Sequence, residues 1–382
     1  MIQYRRSPHI VAYWANGRLL FHNYARGSTH AGDALTIGLL DFFAEWRELG
    51  ALTGSSEFPP ARIRTAVRTL AKAGLLQRSD WPDPRETALE QAWTTWNPAV
   101  GFFHSQTRDC DFAAGERRAT EVLRARLEER PQPARLKSYS GHRTVTLPPM
   151  NSRGPLSRVL LARRTWRRFG APGVTRAQLA TLLGLTFGVQ KWVDQQAMGR
   201  AMFRTSPSGG ARHPIEAYVV VRGTNGIPDG LYHYAPDAHR LELLRSGRAE
   251  ARMRRYLPGQ PFFAHASILV LMTAVFPRTE WQYPFPRAYR VVHLEAGHFG
   301  QTFCLTATAL GLAPFCTAAL ADSLIERDLA IDGINESVLY ACGVGSRPAG
   351  AEWAPFPDSD KVPRVSLPRY ASGARTRRRR GR

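Results

Sequence analysis

The run RTSPSGGARHP at residues 204–214 carries two guanidinium forks, Arg204 and Arg212, and two hydroxyls, Ser206 and Ser208. It leads straight into the apolar stretch 215–221. Gly209 and Gly210 allow backbone shapes closed to other residues, so a flat or phosphorylated ligand can come close. The guanidiniums offer fixed pairs of donors to an anion. A second concentration of this chemistry is RRTWRRF at 163–169, with four arginines in six positions, either solvated or gathered around an anion. Read alone, this set binds a phosphate or nucleotide, or forms an ordinary surface turn. There is no G-x-G-x-x-G run, so a Rossmann dinucleotide site is unsupported.

The elements that must position these residues are legible around them. The stretch 215–221 reads as a buried strand. GLYHY at 230–234 alternates, with 241–244 as its antiparallel partner, and 262–272 is apolar enough for a central strand. Residues 291–312 read as one long helix, apolar nearly all round and broken by Glu295, His298, Gln301 and Thr306. Glu295 and His298, three apart, are placed to pair. A loop at 315–319 follows the helix, and 338–342 is a further buried strand. Thr175 and Gln178 spell a helix cap, with Leu179, Leu182 and Leu183 as the buried face.

Upstream, Asn16-Gly17 between two apolar runs predicts a hairpin. Helices are expected over 33–43 and after Pro59-Pro60, where Ile63, Val67 and Leu70 recur on one face, and a strand is expected at 75–78. Helix, turn, helix and strand read as a winged-helix-like unit. Arg62, Arg64, Arg68 and Lys72 on its second helix would suit a phosphate backbone. The Trp- and Phe-rich stretch 81–130 reads as helical packing between domains, ending in a charged helix at 116–129. The proline-rich 131–155 reads as a linker.

Five stretches, in order, resemble the SagB-type dehydrogenases, the flavin-dependent azoline oxidases of the nitroreductase-like superfamily. They are RRTWRRF, SPSGGARHP, GLYHY, YRVVHLEAGH at 289–298 and GVGSR at 343–347. The resemblance covers roughly residues 155 to 350. It implies an α+β fold: a nitroreductase-like FMN-binding domain with a central mixed or antiparallel sheet flanked by helices, preceded by the winged-helix-like part. The domains are then 1–130 (winged-helix-like and helical, helping to hold a peptide), linker 131–155, flavin domain 156–355, and an extension 356–382.

The resemblance assigns FMN as cofactor. Its phosphate and ribityl chain fall to Arg163, Arg164, Thr165 and Arg167, with Arg347 as a second phosphate ligand. Arg204, Ser206, Pro207, Ser208, Gly209 and Gly210 form the motif loop. Cys316, Thr317 and Ala318 lie beside the ring, Ala318 standing where relatives have glycine. Azoline oxidases carry a Lys-Tyr pair shortly before the long helix. Here Tyr283 matches the tyrosine and Gln282 stands in place of the lysine. A glutamine neither takes up a proton nor carries the charge that lowers a neighbouring phenol's pKa. Tyr283, Gln282 and His298 as helper are the candidate catalytic residues. The implied partners are a second copy of the chain, with flavin at the dimer interface, a precursor peptide and a cyclodehydratase complex.

Three readings stay open: azoline oxidation, another FMN-dependent dehydrogenation or NAD(P)H-dependent reduction, and non-catalytic peptide or DNA binding. The formal net charge of +21 includes six arginines between 375 and 382, a tail expected to be disordered and able to touch acidic partners. Nucleic acid is not the expected partner. No apolar run reaches transmembrane length and no signal-type segment opens the chain, so a cytoplasmic location is expected. Cys110, Cys304, Cys316 and Cys342 lack C-x-x-C spacing. No metal site is signalled, and buried free thiols are expected.

Overall fold

A computed structural model describes residues 1–52, 58–110, 152–194 and 199–350, with short pieces at 121, 124–129, 136–137, 143 and 145–150. The arginine tail, about half of the linker and half of the charged helix lie outside the described residues.

The N-terminal part opens with β1 (Gln3–Arg6) and the meander β2 (Ile10–Ala15), β3 (Arg18–Asn23) and β4 (Ser28–Ala31). The turn between β2 and β3 uses Asn16 and Gly17, both at positive φ, as the hairpin signal requires. Helix α1 (Ala34–Phe42) is capped by the Asp33 side chain. After β5 (Arg47–Glu48) comes α2 (Pro60–Lys72), which buries Ile63, Val67 and Leu70, and then β6 (Leu76–Arg78).

These elements do not make a winged helix. The sheet order is β5-β1-β6, so the third strand comes from the chain's start. No hairpin wing follows β6 among the described residues; the chain turns at Trp81 into α3 (Pro84–Ala92) and α4 (Pro98–Gln106).

The second part carries a six-stranded sheet of order β11-β10-β9-β12-β14-β13, antiparallel at every pairing. Its strands are β9 (Ile215–Val221), β10 (Gly230–Ala235), β11 (Arg240–Ser246), β12 (Ile268–Val275), β13 (Leu312–Thr317) and β14 (Glu336–Ser346). A small hairpin, β7 (Lys191–Asp194) and β8 (Arg200–Phe203), leads into the motif loop. The helices are α5 (Pro155–Ala162), α6 (Arg176–Phe187), α7 (Ala249–Tyr256), α8 (Phe276–Glu280), α9 (Ala288–Ala309) and α10 (Asp322–Leu329).

Strand periodicity sorts the core. Ile215, Ala217, Val219 and Val221 face α6 and α9, while Tyr218 and Val220 face α7 and α10. Both faces of the sheet are covered, which explains why β9 and β12 read as continuous apolar runs. The Thr175–Gln178 capping box forms as expected.

Several expected boundaries move, the long helix among them, which spans Ala288–Ala309 rather than 291–312. Residues 261–265 form a 3₁₀ turn, so the central strand begins at Ile268. Of the stretch 315–319 expected as a loop after the long helix, residues 315–317 instead close strand β13. Pro314 is tolerated there because β13 is the edge strand. Cys304 and Cys342 are buried and Cys316 is half-buried, all free; Cys110 is exposed, against expectation. No helix among the described residues is long and apolar enough to cross a membrane.

The α3–α4 region shares a core with the second part, while α1 and α2 pack on a core of their own. Trp93 and Trp96 of the α3–α4 region pack edge-on against Phe276, and Trp93 Nε1 donates to the Ile334 carbonyl (2.8 Å). Thr95 donates to Glu280, and Arg108 pairs with Glu326. At Gly343 of β14 an added Cβ would run into the Phe315 ring. Phe315 cannot yield, because it stacks on Phe263 at 3.7 Å. Gly343→Ala should therefore cost about 1–3 kcal/mol of stability, read from the shift in a urea midpoint.

Candidate functional site

The motif residues fall in two groups on either flank of α9. The first is the 204–214 loop. Ser208 begins a 3₁₀ turn over Gly209–Ala211, and Gly210, Ala211 and His213 have φ of 58, 54 and 46°. Two non-glycine residues in the left-handed region are strained unless their surroundings hold them. Here the Ser208 hydroxyl accepts from the His213 amide (2.9 Å), and His213 Nε2 meets the Met202 carbonyl (3.1 Å). Arg278 donates to the His213 carbonyl (3.1 Å). Ser206 is buried and shares a hydrogen bond with Thr302 of α9 (2.8 Å). Pro207 offers its carbonyl to His298 Nδ1 (3.3 Å).

Gly209 has to be bare, since a Cβ there would sit 2.7 Å from Val291 Cγ1. At Gly210 a Cβ would strike the Gln282 amide. This contact puts Gln282 and Tyr283, from the turn between α8 and α9, over the glycine pair. Gln282 Nε2 donates to the Tyr283 phenol oxygen at 3.3 Å. Tyr283 also lies edge-on to Phe285 (5.9 Å), and Arg212 sits over the exposed Trp281 ring (5.0 Å). All three candidate catalytic residues, Tyr283, Gln282 and His298, thus meet the motif loop.

Arg204 is 8% exposed. It donates to the Ile215 carbonyl (3.3 Å) and leans on Phe299, and its Nε has no partner among the described residues. Burial pulls its guanidinium pKa down, while the charges of Glu216 and Glu295 push it back.

The second group gathers at the β13 edge. The Trp166 amide donates to the Pro314 carbonyl (2.9 Å), fixing the 163–169 segment along β13. Arg347 Nε donates to the Leu312 carbonyl (3.0 Å), and its guanidinium lies over Trp166 (5.5 Å). Arg163, Arg164, Thr165 and Arg167 are all half-buried. Arg164 bonds the carbonyls of Leu161 and Arg163, and Arg167 lies over Phe262. Cys316 stands opposite Cys342 in the β13–β14 ladder. Hydrogen bonding to Cys304, together with burial, pushes the Cys316 thiol pKa up, so it is no nucleophile at neutral pH. Thr317 donates to Gln260 (2.7 Å), and Ala318 is exposed just beyond the strand.

One expected contact is corrected. Glu295 does not pair with His298. Helix geometry turns Glu295 inward, where its Oε1 lies 3.7 Å from His213 Nδ1, while His298 faces outward on α9. Sequence reading missed His213 as a structural member of the site, because its partner lies far along the chain.

The nitroreductase family model matches residues 160–346. MJ1384 of Methanocaldococcus jannaschii, assigned to the nitroreductases, is 33% identical over 176 residues, covering 46% of this chain and 84% of its own length. This chain belongs to the nitroreductase family. Two further relatives carry names of another kind. The trifolitoxin-processing protein TfxB of Rhizobium leguminosarum bv. trifolii is 36% identical over 157 residues, 39% of this chain and 41% of its own. The microcin B17-processing protein McbC of Escherichia coli is 28% identical over 139 residues, 34% and 49%. The chain thus spans less than half the length of either processing protein.

Membership implies an FMN-binding fold, and the residues present fit that cofactor. A buried arginine with an unpartnered Nε and the arginines beside β13 suit the charge and reach of a phosphorylated chain.

Proposed function

We propose that this nitroreductase-family chain is an FMN-dependent dehydrogenase of the SagB type that oxidises azoline rings to azoles in a ribosomally made precursor peptide. The observation that carries this reading is the seating of Tyr283 and Gln282 against the glycine pair of the motif loop. The names of TfxB and McbC support a peptide as substrate.

When bound, FMN supplies the two-electron acceptor. Arg163, Arg164, Thr165, Arg167 and Arg347 would hold its phosphate and ribityl chain. Ser206, Pro207, Ser208, Gly209 and Gly210, with Arg204, Cys316, Thr317 and Ala318, would line its ring. Tyr283 moves the substrate proton at its phenol oxygen, and Gln282 fixes that oxygen in place. His298 donates from Nδ1 to the Pro207 carbonyl, which leaves Nε2 to receive a proton near the solvent. The chain acts as a homodimer, with the outward face of α9, where Leu294 is 64% exposed, at the interface. The N-terminal part, domain 1–130 in this reading, helps to hold the peptide, and a cyclodehydratase supplies the azoline.

Gln282 favours a second reading, a reductase that takes electrons from NAD(P)H. Anaerobic mixing of the purified full chain with either an azoline-containing peptide or NADPH separates the two. Flavin bleaching by the peptide alone is the expected result. Bleaching by NADPH alone makes the protein a reductase, and a chain that takes up no FMN sinks both readings.

A further inference from the structure

Behind the motif loop lie three ionisable side chains whose polar atoms go unanswered. Glu295 and His213 are each 2% exposed and Arg204 is 8% exposed. Both Glu295 oxygens, His213 Nδ1 and Arg204 Nε have no hydrogen-bond partner among the described residues. A bare buried carboxylate is costly, and native structures resolve such groups by pairing or by protonation.

The tautomer of His213 decides which. The Met202 carbonyl can only accept, so His213 Nε2 at 3.1 Å must carry a hydrogen. A neutral His213 then presents the Nδ1 lone pair to Glu295 Oε1, 3.7 Å away. With Glu295 ionised, two acceptors would face each other in the buried interior. One further proton removes the conflict, whether it sits on the imidazole or on the carboxyl group. The surrounding charges are Arg204, whose guanidinium pKa is pulled down by burial and pushed back up by the charges of Glu216 and Glu295, and Arg278, which binds Glu216 and the His213 carbonyl.

We propose that Glu295 and His213 share one proton and that this buried pair braces the Ser206–Gly210 turn. The brace has a clear object. His213 is left-handed at φ 46° and anchors Ser208 through its own amide. If the ring moves, the Ser208 hydroxyl loses its donor and the strained path through Gly210 and Ala211 loses its far support. Glu295 and His213 are positioning residues here; neither is assigned contact with substrate. The effect on flavin rests on the proposed function, whereas the brace itself does not.

The test uses the flavin-free full chain and its Glu295→Ala and Glu295→Gln variants, with hydrogen exchange read at the amides of Ser208–His213. An amide at 295 can donate to Nδ1 of a neutral His213, so Gln should restore the brace without the extra proton. Exchange should rise about tenfold or more in the Ala variant and stay near wild type in the Gln variant, with β12 unchanged in both. Equal exchange in the wild type and the Ala variant, or a Gln variant as loose as Ala, overturns the proposal. If the Ala variant does not fold, ¹⁵N-histidine spectra of the wild type decide. His213 should show two protonated nitrogens or a hydrogen-bonded Nδ1, and a plain Nε2–H tautomer with a free Nδ1 overturns the pair. FMN titration then separates the two readings. Looser FMN binding in Ala but not Gln joins brace to cofactor. Exchange as expected with unchanged FMN affinity leaves the brace standing and removes the turn from the flavin site.

Discussion

Replacing Tyr283 by Phe should lower turnover of an azoline peptide by roughly two to four orders of magnitude, the usual contribution of a positioned proton-transfer group. The change removes one oxygen, the acceptor of the 3.3 Å bond from Gln282. It leaves the ring free to keep its edge contact with Phe285. FMN content and the flavin spectrum should therefore stay as in the wild type, so lost turnover would report the chemical step alone. The control is Gln282→Ala, which removes the donor but not the phenol. A smaller loss there, on the order of tenfold, would match a residue that only orients. If Tyr283→Phe turns over at the wild-type rate, the proton goes elsewhere and the catalytic assignment of Tyr283 falls.

The second large effect concerns acid. His104 of α4 is buried between two fixed partners: its Nε2 meets the Gly333 carbonyl (3.1 Å) and its Nδ1 the Tyr289 hydroxyl (2.8 Å). The carbonyl can only accept, so Nε2 carries the hydrogen and Nδ1 accepts from Tyr289. The ring is neutral and has no room for a second proton. Burial, aided by the Arg108 charge, pulls its pKa down from 6.5 to about 3.

The sign follows. Below pH 6.5 the unfolded chain binds a proton that the folded chain refuses, so stability falls as pH drops from 6.5 toward 3. Above 6.5 both states are neutral and the contribution is flat. At pH 4 the loss is on the order of 3 kcal/mol. Asp322 and Glu326 nearby have raised pKa values from burial and act in the opposite sense, so the wild-type curve alone does not isolate the histidine. His104→Gln can keep both hydrogen bonds without titrating. Thermal melts of the two proteins between pH 7 and 4 should diverge, with the variant losing far less. Parallel curves would show that His104 is not the acid-sensitive joint.

What the sequence made legible was local. The Asn16-Gly17 turn, the Thr175–Gln178 cap and the buried stripe Ile63, Val67, Leu70 all depend on neighbours within a few positions. The motif loop was visible because its chemistry is contiguous. The failures all turned on partners distant in the chain. The stretch 315–319 reads as a loop, and only the pairing of β13 with β14 makes residues 315–317 strand. The apparent winged helix dissolved because its third strand is β1. Glu295 was matched to His298 on helical spacing, yet its inward rotation on α9 brings it to His213. The gathering of Arg163, Arg167 and Arg347 along β13 likewise depends on a ladder that joins segments far apart in the sequence.

The contact between Gly210 and Gln282 has a bearing on how such a site can drift over generations. The space above residue 210 is filled by the amide of residue 282, and the backbone there turns left-handed. A mutation that adds a side chain at 210 must push residue 282 away from Tyr283, and a bulkier group at 282 is tolerated only while 210 stays bare. The two positions, far apart in the gene, therefore behave as one heritable unit, and a lineage can reach a new residue at 282 only by paths on which the glycine is kept.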